Sequence, residues 1–167
     1  LSSPNAIQDV IKAYLQAHPW FSLPVPIGIY SEDEGDLPGK LEAALGPLGD
    51  ATATPPTGGG LAIMIGCPYG NNNEHNSPRM RMDWTLDIEC VEMPIICRSA
   101  TGLNKTSYQA GRYIIAPHLG PFKGLHGWRE APGRPQLFGS SIPKLSADPT
   151  TGMLIQTIVF NFRETID

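Results

Sequence analysis

The chain is short of most features that mark a sequence for catalysis or membranes. Its apolar runs, such as Leu61 to Ile65 and Pro94 to Cys97, fall far below the roughly 20 residues of a membrane-spanning helix, so no membrane partner is expected. The opening LSSPNAIQDV has neither the basic start nor the apolar core of a secretory signal. Cysteine occurs only at Cys67, Cys90 and Cys97, an odd number that predicts reduced, buried thiols in a cytosolic setting instead of a disulfide framework. There is no Cys-x-x-Cys, and His18, His75, His118 and His126 include no i, i+4 pair, so neither a metal nor a cofactor is expected. Twelve Lys and Arg stand against 16 Asp and Glu, for a net charge of −4, and make no basic footprint for sequence-specific nucleic acid.

Glycine and proline are abundant. Together they supply 35 of 167 residues, well above the roughly 12% of average usage, which assigns much of the chain to loops. A hydrophobic content of 41% still suits one domain over residues 1–167, able to bury a core without disulfides or metals. Within it the segment 130–150 is expected to be irregular, with four prolines. Charge is unevenly spread: residues 1–83 hold nine acids and four bases, the remainder seven acids and eight bases. The acidic run Glu32, Asp33, Glu34 and Asp36 reads as a solvated turn leading into a helix cap.

Ile7, Val10, Ile11, Tyr14 and Leu15 fall at i, i+3, i+4, i+7 and i+8, predicting a helix with Ser3 and Pro4 at its start and His18-Pro19 at its end. Val25 to Tyr30 reads as a strand, placed at an edge by Pro26. Asp36 should cap a second helix that stops at Gly46-Pro47. Leu61 to Gly66 is a short buried strand. From Arg79 to Val91 apolar Met80, Met82, Trp84, Leu86, Ile88 and Cys90 alternate with polar neighbours without a slip, so one face meets the core and the other meets water or a partner. A third helix is expected from about Lys105 to Ala116, ended by Pro117. The last strand, Leu154 to Phe162, is apolar on both faces and should be covered twice.

The expected fold is therefore α+β, with an antiparallel or mixed sheet of about four strands, helices on one face, and the order α-β-α-β-β-α-β. After the first helix this is the order of the ferredoxin-like split unit. The second sheet face is left for a long loop or a neighbouring subunit, closed homo-oligomers being the commonest assemblies.

The stretch CPYGNNNEHNSPR (67–79) offers the densest mixture of reactive groups. A Cys67 nucleophile would need the His75 imidazole within hydrogen-bond reach. Cys67, however, closes a buried strand, while His75 sits among asparagines and prolines with no packed support. Ser77, His75 and Asp83 lack a strand-to-helix elbow. Thr57-Gly58-Gly59-Gly60 precedes a strand and has no following lysine, the wrong polarity for a phosphate loop. An RNA-recognition module is disfavoured because Asp83, Asp87 and Glu89 would face the phosphates. The stretch then reads as a polar hairpin tip, with Cys67 at its base and Asn71 to Ser77 reaching a partner.

The helix PNAIQDVIKAYL, the lead-in TGGGLAIMIG, the strand RMDWTLDIECVE, the turn Leu125-His126-Gly127-Trp128 and the ending DPTTGMLIQTIVFNFRE together resemble the tail terminator proteins of long-tailed bacteriophages. That resemblance implies a non-enzymatic virion protein, assembled in the host cytoplasm and placed at the head-proximal end of the tail. It would act as a homo-oligomeric ring, typically a hexamer, that ends polymerisation of the tail tube protein and offers a surface to the head-tail connector protein. It also implies an arm over 67–81, with Tyr69, Asn72, His75, Arg79 and Arg81 at an assembly interface, and Glu32, Asp33 and Glu34 meeting the more basic second half of the next subunit. The Pro-rich region 130–150 departs from a compact version of the family. The competing classes are a small cytosolic enzyme using Cys67 or the His118 and His126 region, and a monomeric protein-binding module.

Overall fold

The computed structural model describes residues 6–46, 59–72, 80–98, 104–117, 123–139 and 144–166. The amphipathic opening forms helix α1 (Ala6–Ala17), with Ile11 and Leu15 fully buried. The caps expected at Ser3 and Pro4 lie outside the described residues. His18 and Pro19 end α1 and at once begin a one-turn helix, α2 (Pro19–Ser22). There Nδ1 of His18 accepts the Trp20 N–H at 3.2 Å, and Pro19 brings its fixed φ to the first turn.

The strand expected over Val25–Tyr30 is the shorter β1 (Gly28–Ser31), an edge strand as Pro26 required. Helix α3 (Leu37–Leu45) follows and ends at Gly46, whose φ of 86° only glycine adopts freely. Asp36 does occupy the N-cap position, but its side chain caps nothing. The residue is left-handed, at φ 56°, and Pro38 removes one of the N–H groups a cap would use.

The strands β2 (Leu61–Ile65), β3 (Tyr69–Asn72) and β4 (Met80–Glu92) come next, then a one-turn helix α4 (Pro94–Cys97). Helix α5 (Ser107–Ile115) opens with a capping box. The Thr106 hydroxyl accepts the Gln109 N–H at 3.1 Å, and the Gln109 side chain accepts the Thr106 N–H at 3.0 Å. The segment expected to be irregular contains two short strands, β5 (Phe138–Gly139) and β6 (Lys144–Ala147), before the final β7 (Leu154–Ile166). Both pair with β7.

The α+β class holds, with a mixed sheet of seven strands instead of about four. Its order is β1-β2-β4-β7-β5, with β3 also on β4 and β6 also on β7. β1 and β2 are parallel neighbours and every other pairing is antiparallel. Because β1 and β2 touch directly across the α3 crossover, the unit is not split by a strand between them.

On one face Ile63, Ile65, Leu86, Ile88, Cys90, Ile158 and Phe160 form the core. It is covered by Ile11 and Leu15 of α1, Ala110 and Ile114 of α5, and Leu125, Trp128 and Leu137 of the following loop. Helices were expected on one face only. Instead α3 crosses to the other and packs Ala44 and Leu45 on Ala62 and Val91, with Ile155 alongside. Those residues give β7 its second apolar face. Gly60 leads into β2 with φ 84°, and a Cβ there would stand 2.8 Å from the Cys97 backbone nitrogen, so this glycine serves close packing as well as chain direction.

Candidate interaction surface

Alternation along β4 divides the sheet into two faces, and register with its neighbours says which side chains share each. Met80 to Glu92 pairs row for row with Ile166 to Leu154. The odd-numbered residues Arg81, Asp83, Thr85, Asp87 and Glu89 therefore line the face opposite the main core, beside Thr165, Arg163, Asn161, Val159 and Thr157 of β7. Only the Val91 and Ile155 end of this face lies under α3.

Between β2 and β3 the chain advances four residues, Ile65 to Tyr69, while β4 retreats three, Ile88 to Thr85. The extra residue is a β-bulge, and it reverses which parity faces the core. Tyr69, which without it would point inward with Ile63 and Ile65, joins the odd-numbered face of β4 and is 57% exposed. Gly70 turns inward, where a Cβ would come within 2.8 Å of the Trp84 ring. The bulge is held by two hydrogen bonds: the Gly66 N–H donates to the Asp87 carbonyl at 2.7 Å and the Cys67 N–H to Oε2 of Glu32 at 2.9 Å. Glu32 thus fastens the acidic turn to the base of the 67–72 arm.

Along β4 burial begins only at Leu86. Met80 is 44% exposed, and Met82 and Trp84 are half-buried although all three occupy core-parity positions. The expectation that they pack fully into the core fails for a physical reason: the β3–β4–β7 ribbon continues past the helices that cover the rest of the sheet. Trp84 stacks on Phe162 with ring centroids 6.4 Å apart, and its buried indole N–H has no hydrogen-bond partner among the described residues.

The acids fall into two groups. Glu34 is structural: it accepts from Lys12, from Lys40 at 2.7 Å and from the Ser31 N–H at 2.9 Å. Burial alone would push its carboxyl up, but these donors outweigh it and hold it at about 2. These bonds tie the turn after β1 to α1 and α3. Glu32 and Asp33 are exposed. Glu32 also lies close enough to Asp87 and Glu89 to repel them; both carboxyls are pushed up, chiefly by burial and then by neighbouring negative charge. Oδ1 of Asp87 is buried and has no hydrogen-bond partner among the described residues.

Of the other expected interface residues, Arg81 sits half-buried on β4 opposite Thr165, and Asn72 pairs in register with Met82. His75 and Arg79 lie outside the described residues, as do Ser77 and His118. The Cys67 thiol is half-buried and receives a long contact, 3.7 Å, from the Gln8 amide. Burial pushes the thiols of Cys90 and Cys97 up, Cys97 to about 11, away from thiolate chemistry. His126 accepts the Gly139 N–H at Nδ1, 3.0 Å, and so ties its loop to β5.

Sequence reasoning passed over a second charged region. A cleft of about 590 Å³ is lined by Arg129, Arg134 and Arg163, with Phe138 and Glu164. These arginines are separated by up to 34 positions in the chain, and no local pattern links them. The chain matches no family model and no characterised protein in sequence.

Proposed function

We propose that the chain is a structural, self-associating subunit of the tail terminator kind. In this reading it closes into a ring of six at the head-proximal end of a phage tail, ends polymerisation of the tail tube, and presents a surface to the head-tail connector. The supporting observation is the half-covered ribbon of β3, β4 and β7. Tyr69 and Met80 are 57% and 44% exposed along it, Phe138 of the adjoining β5 is 49% exposed, and the ribbon carries polar residues on the face opposite the core. A paired ribbon with exposed large side chains beyond its own helical cover is built to be completed by another protein surface.

The test is assembly, not turnover. Purified protein is imaged by negative stain and sized by light scattering, alone and with tail tubes. Rings, or caps confined to one tube end, are the expected result. A strictly monomeric protein that also leaves tubes uncapped would overturn the proposal.

A further inference from the structure

The acidic turn and the arginine cleft lie at opposite edges of one sheet. In the order β1-β2-β4-β7-β5, the turn Glu32–Asp36 leaves β1 at one edge, and the cleft sits against β5 and β7 at the other. β1 runs parallel to β2, and β4 is antiparallel to both β2 and β7, so β1 and β7 point the same way. The turn follows the C-terminal end of β1, and the cleft lies along Arg163 to Thr165 near the C-terminal end of β7. Through the register Ser31–Ile65–Ile88–Ile158 the turn is level with the middle of β7, and the cleft lies five to seven residues further along that strand; the two regions face outward from opposite edges.

On the acidic side, exposed Glu32 and Asp33 are joined by Asp87 and Glu89 of the neighbouring sheet face. On the basic side, Arg129 donates to Gln136 at 2.8 Å and Arg163 to Asp83 at 2.7 Å, which hold the guanidinium groups at the cleft while leaving them exposed. Glu164 lines the cleft and Asp83 pairs with Arg163, two acids against three arginines, so the cleft keeps a net positive charge. Two unlike, oppositely charged surfaces at opposite edges define a heterologous contact, and such contacts close into rings when the rotation between copies permits.

Deepening the self-association proposed above, we infer that the cleft of Arg129, Arg134 and Arg163 receives the acidic turn at Glu32 and Asp33 of a second copy of this chain. Each copy thereby contributes its β1 edge to one neighbour and its β5 edge to the other. Arginine suits this role, because its planar donors engage carboxylates two at a time.

A charge swap tests it. The variant Arg129→Glu with Arg134→Glu places acid in the cleft, and Glu32→Lys with Asp33→Lys places base on the turn. Either variant alone faces like charge at every contact, and its self-association should weaken by at least about tenfold. Mixed in equal amounts, the two should reassemble, since alternating copies restore opposite charge at each contact. Circular dichroism and melting confirm that each variant folds. If both variants assemble as the wild type does, or if the mixture fails to recover, this pairing of surfaces is overturned while self-association stands. A wild type that is monomeric alone and with tubes overturns both.

Discussion

Replacing Glu92 by alanine removes a charged side chain that is fully buried at the end of β4. One carboxylate oxygen accepts Nε of Arg98 at 2.8 Å; the other accepts the Ser107 N–H at 3.1 Å and the Ser107 hydroxyl at 2.8 Å. Ser107 opens α5, so the carboxylate ties the central strand to a helix N-terminus, where the helix dipole favours negative charge. In Glu92→Ala the N–H and O–H of Ser107, itself 1% exposed, lose their acceptor, at about 1–3 kcal/mol for each stranded group. Arg98 is half in water and regains solvent at little cost. Relief of the carboxylate's own burial offsets part of the loss, leaving a net cost of about 3–5 kcal/mol. At roughly 2–4 °C per kcal/mol for a chain of this size, Tm should fall by about 10 °C. Urea unfolding followed by circular dichroism measures it as a lower midpoint at unchanged slope. Glu92→Gln keeps an acceptor and should cost about half as much, and Arg98→Ala less than Glu92→Ala. A loss below about 1 kcal/mol for Glu92→Ala, or a larger one for Arg98→Ala, would refute the assignment of Glu92 as the anchor of α5.

Acidification should act on stability in two opposite steps. Asp87 and Glu89 have raised folded-state values, so their ionised forms oppose folding; as pH falls through those values toward the ordinary 3.8 and 4.5, protonation relieves the penalty and stability rises. Glu34 is depressed to about 2, so its contribution is present above 4.5 and is lost as pH falls from there toward 2. Melting temperature against pH should therefore peak in mild acid; Asp87→Asn with Glu89→Gln should flatten the neutral side and Glu34→Gln the acid side, and a monotonic wild-type profile would contradict this. Phe160→Ala, at a fully buried site, should cost about 3–5 kcal/mol in chemical denaturation. Trp84→Ala, on the half-covered ribbon, should cost distinctly less, and equal losses would show that Trp84 belongs to the closed core.

Where one element carries its own period, the fold was legible before any coordinates. The α1 stripe from Ile7 to Leu15, the unbroken alternation from Met80 to Cys90 and the doubly apolar β7 each depend on side-chain spacing within a single segment. Gly46 at the end of α3 and Pro26 beside an edge strand were equally local signals. The site was legible only in part. The acidic run at Glu32 and the polar stretch holding Tyr69 were visible as composition, but not the hydrogen bond from the Cys67 N–H to Glu32 that joins them. Nor could a reading along one segment see that Lys12, 22 positions earlier, holds the Glu34 carboxylate.

What the sequence by itself determined is the set of local periods and punctuation, and hence the α+β class and the four principal strands. Tertiary structure alone decided which face each element shows and which distant charges meet. Tyr69 points outward because a bulge intervenes in the register with β4, and the parallel pairing of β1 and β2 makes α3 a crossover, which packs on the second face against Ala62 and Val91. Arg129, Arg134 and Arg163 share a cleft because β5 and its loop dock on β7. Each outcome depends on pairing between segments far apart in the chain, and a period read along one segment carries no information about that pairing.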